Sequence, residues 1–227
     1  MIATSTPVLQ MTGVSKRFPA PHGFAQILHR VDFTARAGEF LMISGPSGSG
    51  KSTLLNLAAL LDRPTSGRIA FERREISGLN EDALSALRAT RIGMVFQRFC
   101  LLPHRSALDN VLFRFRYTTI AHGEARSLAE QALAQVGLST LCDRTARLLS
   151  AGEMQRVAVA RAVALPPALL LADEPTGNLD RAATETVLSC FRGLNAAGLT
   201  IIMVTHNEGL LGSASRHLVC RDGVVAD

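Results

Sequence analysis

The feature that most constrains this chain is a glycine-rich run between an apolar segment and a helix-forming one, Gly45-Pro46-Ser47-Gly48-Ser49-Gly50-Lys51-Ser52. The apolar residues 40–43 predict a buried strand, and residues 52–57 predict the start of a helix. Glycines let successive backbone N–H groups point inward as a cradle for anionic oxygens, and the following helix adds the positive end of its dipole. Strand, loop and helix in this order indicate a phosphate-binding loop.

The loop also supplies side chains suited to a nucleotide. Lys51 is placed to reach the β- and γ-phosphates, and the Ser52 hydroxyl is placed to ligate Mg²⁺. The chain contains only two lysines, Lys16 and Lys51, so a chance match to this pattern is a roughly one-in-several-hundred event. We therefore predict that nucleotide is bound by Gly45, Pro46, Ser47, Gly48, Ser49, Gly50, Lys51, Ser52 and Thr53.

Two carboxylates, Asp173 and Glu174, follow an apolar run at residues 169–172. An apolar strand delivers such residues to its carboxyl end, where ligands bind in open α/β sheets. Asp173 is predicted to organise the magnesium shell, and Glu174 to act as the general base on the attacking water. A solvated acidic turn is the alternative for this motif alone, but the phosphate loop favours the catalytic interpretation.

A third motif is the run Leu149-Ser150-Ala151-Gly152-Glu153-Met154-Gln155. Ser150 and Glu153 have the spacing of a capping box, which predicts that a helix starts here. The small residues leave that helix N-terminus open to an anion. Taken alone, an ordinary helix cap is the favoured interpretation of this run.

Composition excludes several classes of protein. With 47% hydrophobic and 19% charged residues, the chain can bury a core and is not predicted to be disordered. The net charge of +5 is not concentrated in an arginine-rich block, so no nucleic-acid partner is expected. The four cysteines are far apart, which indicates a reducing compartment. We expect neither a signal peptide nor a membrane span.

The pattern of elements predicts an α/β fold. Strands are expected at residues 8–14, 27–35, 39–44, 68–71, 92–96, 168–172 and 199–204, with a hairpin at 217–225 turning at Asp222-Gly223. Helices are expected at residues 81–90 and 149–164, and a helical pattern at 108–141. Residues 19–23 are predicted to be a loop because they contain Pro19, Pro21 and Gly23. These elements predict a nucleotide-binding core with a helical insert.

Taken together, the motifs resemble the ATP-binding-cassette (ABC) ATPase family over residues 8–225. Five motifs occur in the family's order: the phosphate loop, a glutamine loop at Val95-Phe96-Gln97, the signature at residues 149–155, the carboxylate strand and Thr205-His206. The resemblance implies a P-loop NTPase core (RecA-like, a mixed sheet with an antiparallel β edge) carrying an α-helical signature lobe. The chain is expected to be one such domain over 1–227, with the core at about 1–97 and 160–227 and the lobe at about 98–159.

The resemblance also implies roles for individual residues. Gln97 would touch Mg²⁺ and sense the γ-phosphate, and His206 would hold the attacking water with Glu174. Phe18, which stands 27 residues before Gly45, would stack on adenine. Ser150, Gly152 and Glu153 are assigned to ATP binding, with Ser150 and Gly152 contacting the γ-phosphate of ATP held by a second chain. Activity would then need a head-to-tail dimer with a second copy or a homologous cassette, bridged by Asp180.

A narrower resemblance concerns the lipoprotein-release and macrolide-export group, through residues 173–180, 99–103 and 108–111. It implies an ATPase subunit on the cytoplasmic face of the inner membrane that drives an integral membrane permease, for export or extraction of a lipophilic substrate or lipoprotein. A regulatory, non-transport ATPase of the cell-division type is the alternative. Residues 98–103 are expected either beside the permease-receiving groove or in the lobe core. Ala151 stands where the family usually has glycine, and the expected consequence is either slower hydrolysis or no measurable change.

Overall fold

The structure, a computed structural model, describes residues 6–21 and 23–226. Its strands are β1 (Pro7–Ala20), β2 (Gly23–Arg36), β3 (Phe40–Ser44), β4 (Ser66–Phe71), β5 (Arg74–Glu75), β6 (Ile92–Val95), β7 (Leu169–Asp173), β8 (Thr200–Thr205), β9 (Arg216–Arg221) and β10 (Val224–Ala226). Its α-helices are α1 (Lys51–Ala58), α2 (Glu81–Arg91), α3 (Ala107–Leu112), α4 (His122–Gln135), α5 (Ala151–Val163) and α6 (Arg181–Ala196).

A six-stranded sheet with the order β10-β9-β3-β8-β7-β6 forms the centre of the molecule. Its strands are parallel except β10, which pairs antiparallel with β9 through the turn at Asp222 and Gly223. Both turn residues have positive φ, 47° and 75°, as a two-residue hairpin turn of type I′ requires. The predicted α/β fold with an antiparallel edge and the predicted hairpin are confirmed.

Alternate residues of the central strands face two separate cores. Phe40 and Met42 of β3 pack on the side of α3, α4, α5 and α6. Leu41 and Ile43 pack on the opposite side, against α1 and the antiparallel strands. Every residue of β3 is buried. A strand covered on both faces needs a continuous apolar run, because both of its faces exclude water.

A second sheet, with the order β2-β1-β4-β5, is antiparallel and covers one face of the first. Here one prediction was wrong: the segment predicted as a loop belongs largely to the β1–β2 hairpin, with Pro19 opposite Phe24 and Ala20 opposite Gly23. The pairing of β1 with β4 runs only to Ser15 opposite Ser66. Beyond Ser15, the edge of β1 that faced β4 is not paired with it. A proline there removes no hydrogen bond between these two strands, because no N–H donor is needed.

The helical insert lies between β6 and β7 and contains α3, α4 and α5. Its apolar side chains, among them Leu108, Ala129 and Val157, share one core cluster with β3, β7 and β8. The predicted lobe boundary at residues 159–160 falls inside α5, which runs without a break from Ala151 to Val163. This helix therefore joins the insert to the central sheet.

Candidate active site

Parallel pairing brings the sequence motifs to one edge of the sheet. Ser44, at the end of β3, lies opposite Thr205 of β8, and Asp173, at the end of β7, lies opposite Val204. The segment that contains Gln97 follows β6, the next strand along. The phosphate loop, the two carboxylates, His206 and the glutamine loop consequently leave the sheet at its carboxyl edge, where ligands bind in this fold class.

The phosphate loop is closed on itself by its lysine. Lys51 is buried, and its ammonium donates hydrogen bonds to the backbone carbonyls of Gly45 at 2.7 Å and Pro46 at 2.8 Å. Gly50 precedes α1 with a φ of 102°, and no side chain caps the helix. The first N–H groups of α1 are thus left for an anion, as the sequence predicted for this loop.

Glycine is required at two positions of this loop because neighbouring elements approach its backbone. A Cβ on Gly45 would lie 2.0 Å from the carbonyl oxygen of Cys220 in β9. A Cβ on Gly50 would lie 2.9 Å from a methyl group of Leu28 in β2. The loop is therefore wedged between β2 and the β9–β10 hairpin, which holds its curvature before any ligand binds.

Asp173 lies beside the first turn of α1. Burial raises the pKa of its carboxyl group, whereas a hydrogen bond with the Ser52 side chain and the charge of Lys51 oppose this shift. Burial disfavours the charged form of a carboxylate, and a cation bound beside it would stabilise that form. The structure thus brings together Ser52 and Asp173, both predicted as metal ligands.

Glu174 and His206 contact each other directly, through a carboxylate oxygen and the ring Nδ1. The Glu174 backbone N–H donates to the carbonyl of Val204 at 3.0 Å, and its φ is 46°. A non-glycine residue in this conformation is strained, which is common at functional sites. The Glu174 side chain is only 17% exposed, whereas His206 is 56% exposed. The carboxylate is therefore positioned by the backbone, with the imidazole on its solvent side.

Gln97 lies next to the turn that follows Glu174. Its side-chain nitrogen would be 3.1 Å from a Cβ on Gly177, and its carbonyl accepts a hydrogen bond from Asn178 at 3.2 Å. The neighbours that affect the pKa of Asp173 are Ser52, Glu174 and Lys51. The structure accordingly places Gln97 beside the turn that follows Glu174.

The signature residues form a separate surface. Ser150 caps α5: its hydroxyl accepts from the Glu153 N–H at 3.3 Å, and the Glu153 carboxylate accepts from the Ser150 N–H at 2.7 Å. These hydrogen bonds lower the pKa of Glu153. Gly152 abuts Ala183, because a Cβ there would be 2.9 Å from the Ala183 methyl group. The predicted capping box is confirmed.

The cavity at this helix N-terminus contains Ala151 and Asp180 as well as the signature residues, and the phosphate loop is not part of its lining. Within the described residues, the phosphate loop lines a different cavity with His206 and His217. One chain therefore carries the two predicted halves of a nucleotide site on separate surfaces.

Phe18, the predicted base-stacking residue, lies on β1 opposite Ala25 of β2. It is 38% exposed, which leaves part of the ring open to a ligand. The ammonium of Lys16 lies 4.8 Å from the ring centroid. Sequence reasoning missed this lysine, although residues two apart on a strand lie on the same face.

Sequence reasoning did not single out His217, which belongs to none of the motifs. Its ring Nε2 is 2.8 Å from the hydroxyl of Ser44, the residue directly before the phosphate loop. The two residues are 173 positions apart in the chain. Only the pairing of β9 with β3 brings them together, so no local pattern in the sequence could have found the contact.

Comparison with known proteins agrees with this geometry. The ABC transporter family matches residues 28–177. The lipoprotein-releasing system ATP-binding protein LolD of Anaeromyxobacter dehalogenans is 45% identical over 98% of this chain and 95% of its own length. The macrolide export ATP-binding/permease protein MacB of Burkholderia thailandensis is 43% identical over 97% of this chain, which spans 34% of that longer protein.

Solved structures show the same architecture. The dimeric structure of the ABC transporter cassette MJ0796 superposes with a TM-score of 0.86 at 35% identity, covering 96% of this chain and 97% of that one. A post-hydrolysis state of the same cassette, bound to ADP and Pi, has the same TM-score and identity. Among the residues that the structure describes, every helix is too short or too polar to cross a bilayer.

Proposed function

The chain belongs to the ABC transporter family and is an ATP-binding ATPase subunit of that family, and from this premise we propose a specific role for it. It is the motor that drives an integral membrane permease from the cytoplasmic face of the cell membrane. The relatives LolD and MacB support export or extraction of a lipophilic substrate or a lipoprotein as the work that it performs.

Nucleotide binding is assigned to the phosphate loop. Residues 45–53 would surround the β- and γ-phosphates, and Lys51 would exchange its two loop carbonyls for phosphate oxygens. The donor set of Ser52 and Asp173 fits Mg²⁺, which binds through one or two protein oxygens with phosphates and water as its other ligands. The buried carboxylate supports this assignment. Gln97 would join the shell as a further oxygen ligand.

Hydrolysis is assigned to Glu174 and His206. Water attacks the γ-phosphorus, the Glu174 carboxylate accepts its proton, and the bond to the β–γ bridging oxygen breaks to leave ADP. His206 would orient the water and contact the γ-phosphate. The direct contact between these two side chains supports a shared role, and the water would enter where the contact opens.

The observation that carries the proposal is the separation of the signature surface from the phosphate loop. Ser150 and Gly152 frame a helix N-terminus suited to an anion, and the cavity that they line contains no residue of the phosphate loop. A second chain, placed head to tail, would supply the missing half of each site. In that arrangement Glu153 holds the cap through its hydrogen bond to Ser150 and contributes by shaping the loop.

The permease is proposed to dock at a groove of about 530 Å³ between the helical lobe and the core. Exposed aromatic residues line it, with Tyr117 85% and Phe113 46% exposed. Within the predicted segment 98–103, Cys100 lines this groove, whereas Leu101 packs on the lobe core. Leu101 thus supports the lobe-core interpretation, and Cys100 would face the permease in the proposed groove. The division of the chain into a core and a helical lobe at about residues 98–159 is also a proposal. It is supported by the position of the helical insert between β6 and β7.

Charge at the groove supports a membrane-protein segment that carries a carboxylate. Arg114 and Arg161 line the groove, and burial lowers the pKa of each guanidinium. Each donates to backbone carbonyls, Arg114 to Ile92 at 2.9 Å and Arg161 to Cys100 at 2.6 Å. In the described part of the chain, the ion pairs involve other arginines. A carboxylate on an apolar helix would relieve this buried charge.

The nucleotide site is tested with Glu174→Gln. We expect ATP binding to persist, turnover to fall by roughly 10²- to 10⁴-fold, and an ATP-dependent dimer to accumulate on size-exclusion chromatography. Full turnover in this variant would contradict the assignment of Glu174 as general base. A monomer at saturating ATP would contradict the shared site.

The docking surface is tested with Tyr117→Ala, in the chain co-expressed with a candidate permease subunit. We expect less permease to co-purify in detergent and a smaller rise in ATPase activity when the permease is present. Phe24→Ala is the matched control, because Phe24 is 64% exposed and lies on the β1–β2 hairpin away from the groove. Equal losses for both variants, or none for Tyr117→Ala, would refute the assigned surface.

A further inference from the structure

Lys16 is an unusual choice for this chain, in which all basic residues except Lys16 and Lys51 are arginines. It is only 9% exposed. Its ammonium donates to the Asp62 carboxylate at 2.6 Å and to the Arg63 carbonyl at 2.8 Å. A compact ammonium fits between two such oxygens, whereas the planar fork of arginine has a different geometry. Lys51 is held in a comparable way in the phosphate loop.

The same ammonium covers one side of an aromatic ring. It lies 4.8 Å from the centroid of Phe18, within the range of a cation–π interaction. Phe18 is nevertheless 38% exposed, so part of the ring faces solvent. Lys16 therefore fixes the ring from within the protein while an open side remains.

Lys16 also connects this ring to the phosphate loop by two routes. Across the hairpin, Lys16 lies opposite Leu28, and a methyl group of Leu28 would be 2.9 Å from a Cβ on Gly50. Through its hydrogen bonds, Lys16 holds Asp62 and Arg63, which follow α1, the helix that the phosphate loop opens into. A displacement of Lys16 would thus shift the ring relative to the loop.

We propose that Lys16 is a positioning residue for adenine recognition. It holds the Phe18 ring at a set distance from the phosphate loop, so that adenine stacks on the open face while the ammonium occupies the other. Lys16 does not itself touch the nucleotide. The proposal rests on the nucleotide binding of the proposed function and on the stacking of adenine on Phe18 that the family resemblance implies.

The test separates the base from the phosphates. In Lys16→Met, we expect the Kd of Mg·ADP to rise by roughly 3- to 10-fold, because the Phe18 ring would then have to be ordered when adenine binds. The Kd of Mg·pyrophosphate, which has no base, should stay within about twofold. In steady state the KM for ATP should rise while kcat changes little. Calorimetric titration gives both dissociation constants.

The matched control is Arg17→Met, because the Arg17 guanidinium lies 4.7 Å from the centroid of Phe24 on the same hairpin. This variant should leave both dissociation constants unchanged. If Lys16→Met does not fold, Lys16→Gln replaces it, because glutamine keeps donors for Asp62 but lacks the charge. Lys16→Gln is expected to raise the Kd of Mg·ADP more than the Kd of Mg·pyrophosphate. An equal rise in the Kd of both ligands, or an unchanged Kd of Mg·ADP, would overturn the positioning role of Lys16.

Phe18→Leu distinguishes failure of this inference from failure of the underlying site. If Phe18→Leu leaves ADP binding unchanged, the base site itself is wrong. If Phe18→Leu weakens ADP binding while Lys16→Met does not, only the positioning role fails.

Discussion

Replacement of single phosphate-loop glycines by alanine would test the packing argument quantitatively. Gly45 and Gly48 both have positive φ, 152° and 81°. A Cβ on Gly48 would meet no atom within 4 Å, whereas a Cβ on Gly45 would lie 2.0 Å from the Cys220 carbonyl oxygen. That carbonyl belongs to β9, which is paired on both sides with β3 and β10. It cannot move aside without disturbing the sheet.

The magnitudes follow from these distances. Gly48→Ala pays only for its backbone conformation, about 1–2 kcal/mol of unfolding free energy. Gly45→Ala loses about 1–3 kcal/mol for conformation and about 1–3 kcal/mol more for overpacking, hence about 2–6 kcal/mol. Such a loss is a large share of the stability of an ordinary domain.

Urea unfolding of the nucleotide-free protein measures both losses, provided that the slope m is unchanged between variants. We expect the Gly45→Ala midpoint to lie well below that of Gly48→Ala. A loss for Gly45→Ala no larger than that for Gly48→Ala would show that the contact with Cys220 does not constrain the loop.

Two other predictions concern charge and capping. The pKa of Asp173 is raised by burial, so its contribution to stability is greatest below its unfolded pKa and is lost as the pH rises through the folded pKa. Asp173→Asn should therefore melt higher than wild type without Mg²⁺ and nucleotide at pH 7, with a gap that shrinks in acid; a lower melting temperature at pH 7 would contradict the burial argument. Ser150→Ala should lose about 1 kcal/mol on urea unfolding and weaken the ATP-dependent dimer. The matched control Ser106→Ala removes the equivalent capping box of α3 and should leave the dimer intact, and equal dimerisation by both variants would refute the role of Ser150.

The fold was largely predictable because its signals are local. The apolar runs that became β3, β7 and β8 are buried on both faces, and the cap at Ser150 appears in the structure as the spacing predicted. The failure at residues 19–23 has a physical cause. Proline and glycine mark turns in general, but here they fall where β1 no longer pairs with β4, and local composition does not report which edge of a strand is free.

The sequence by itself determined the chemistry of the site: a glycine-rich loop, two carboxylates after an apolar strand, and a capped helix with small residues at its start. These depend on residue type and spacing over a few positions, which the chain specifies directly. Only the tertiary structure decided which of these groups meet. Strand order brings His206 against Glu174 and His217 against Ser44. The tertiary structure also leaves Ser150 in a cavity that does not include Lys51. The direction of α5 is set by its packing on the lobe and on the sheet. These contacts join residues far apart in the chain, which no local sequence pattern encodes.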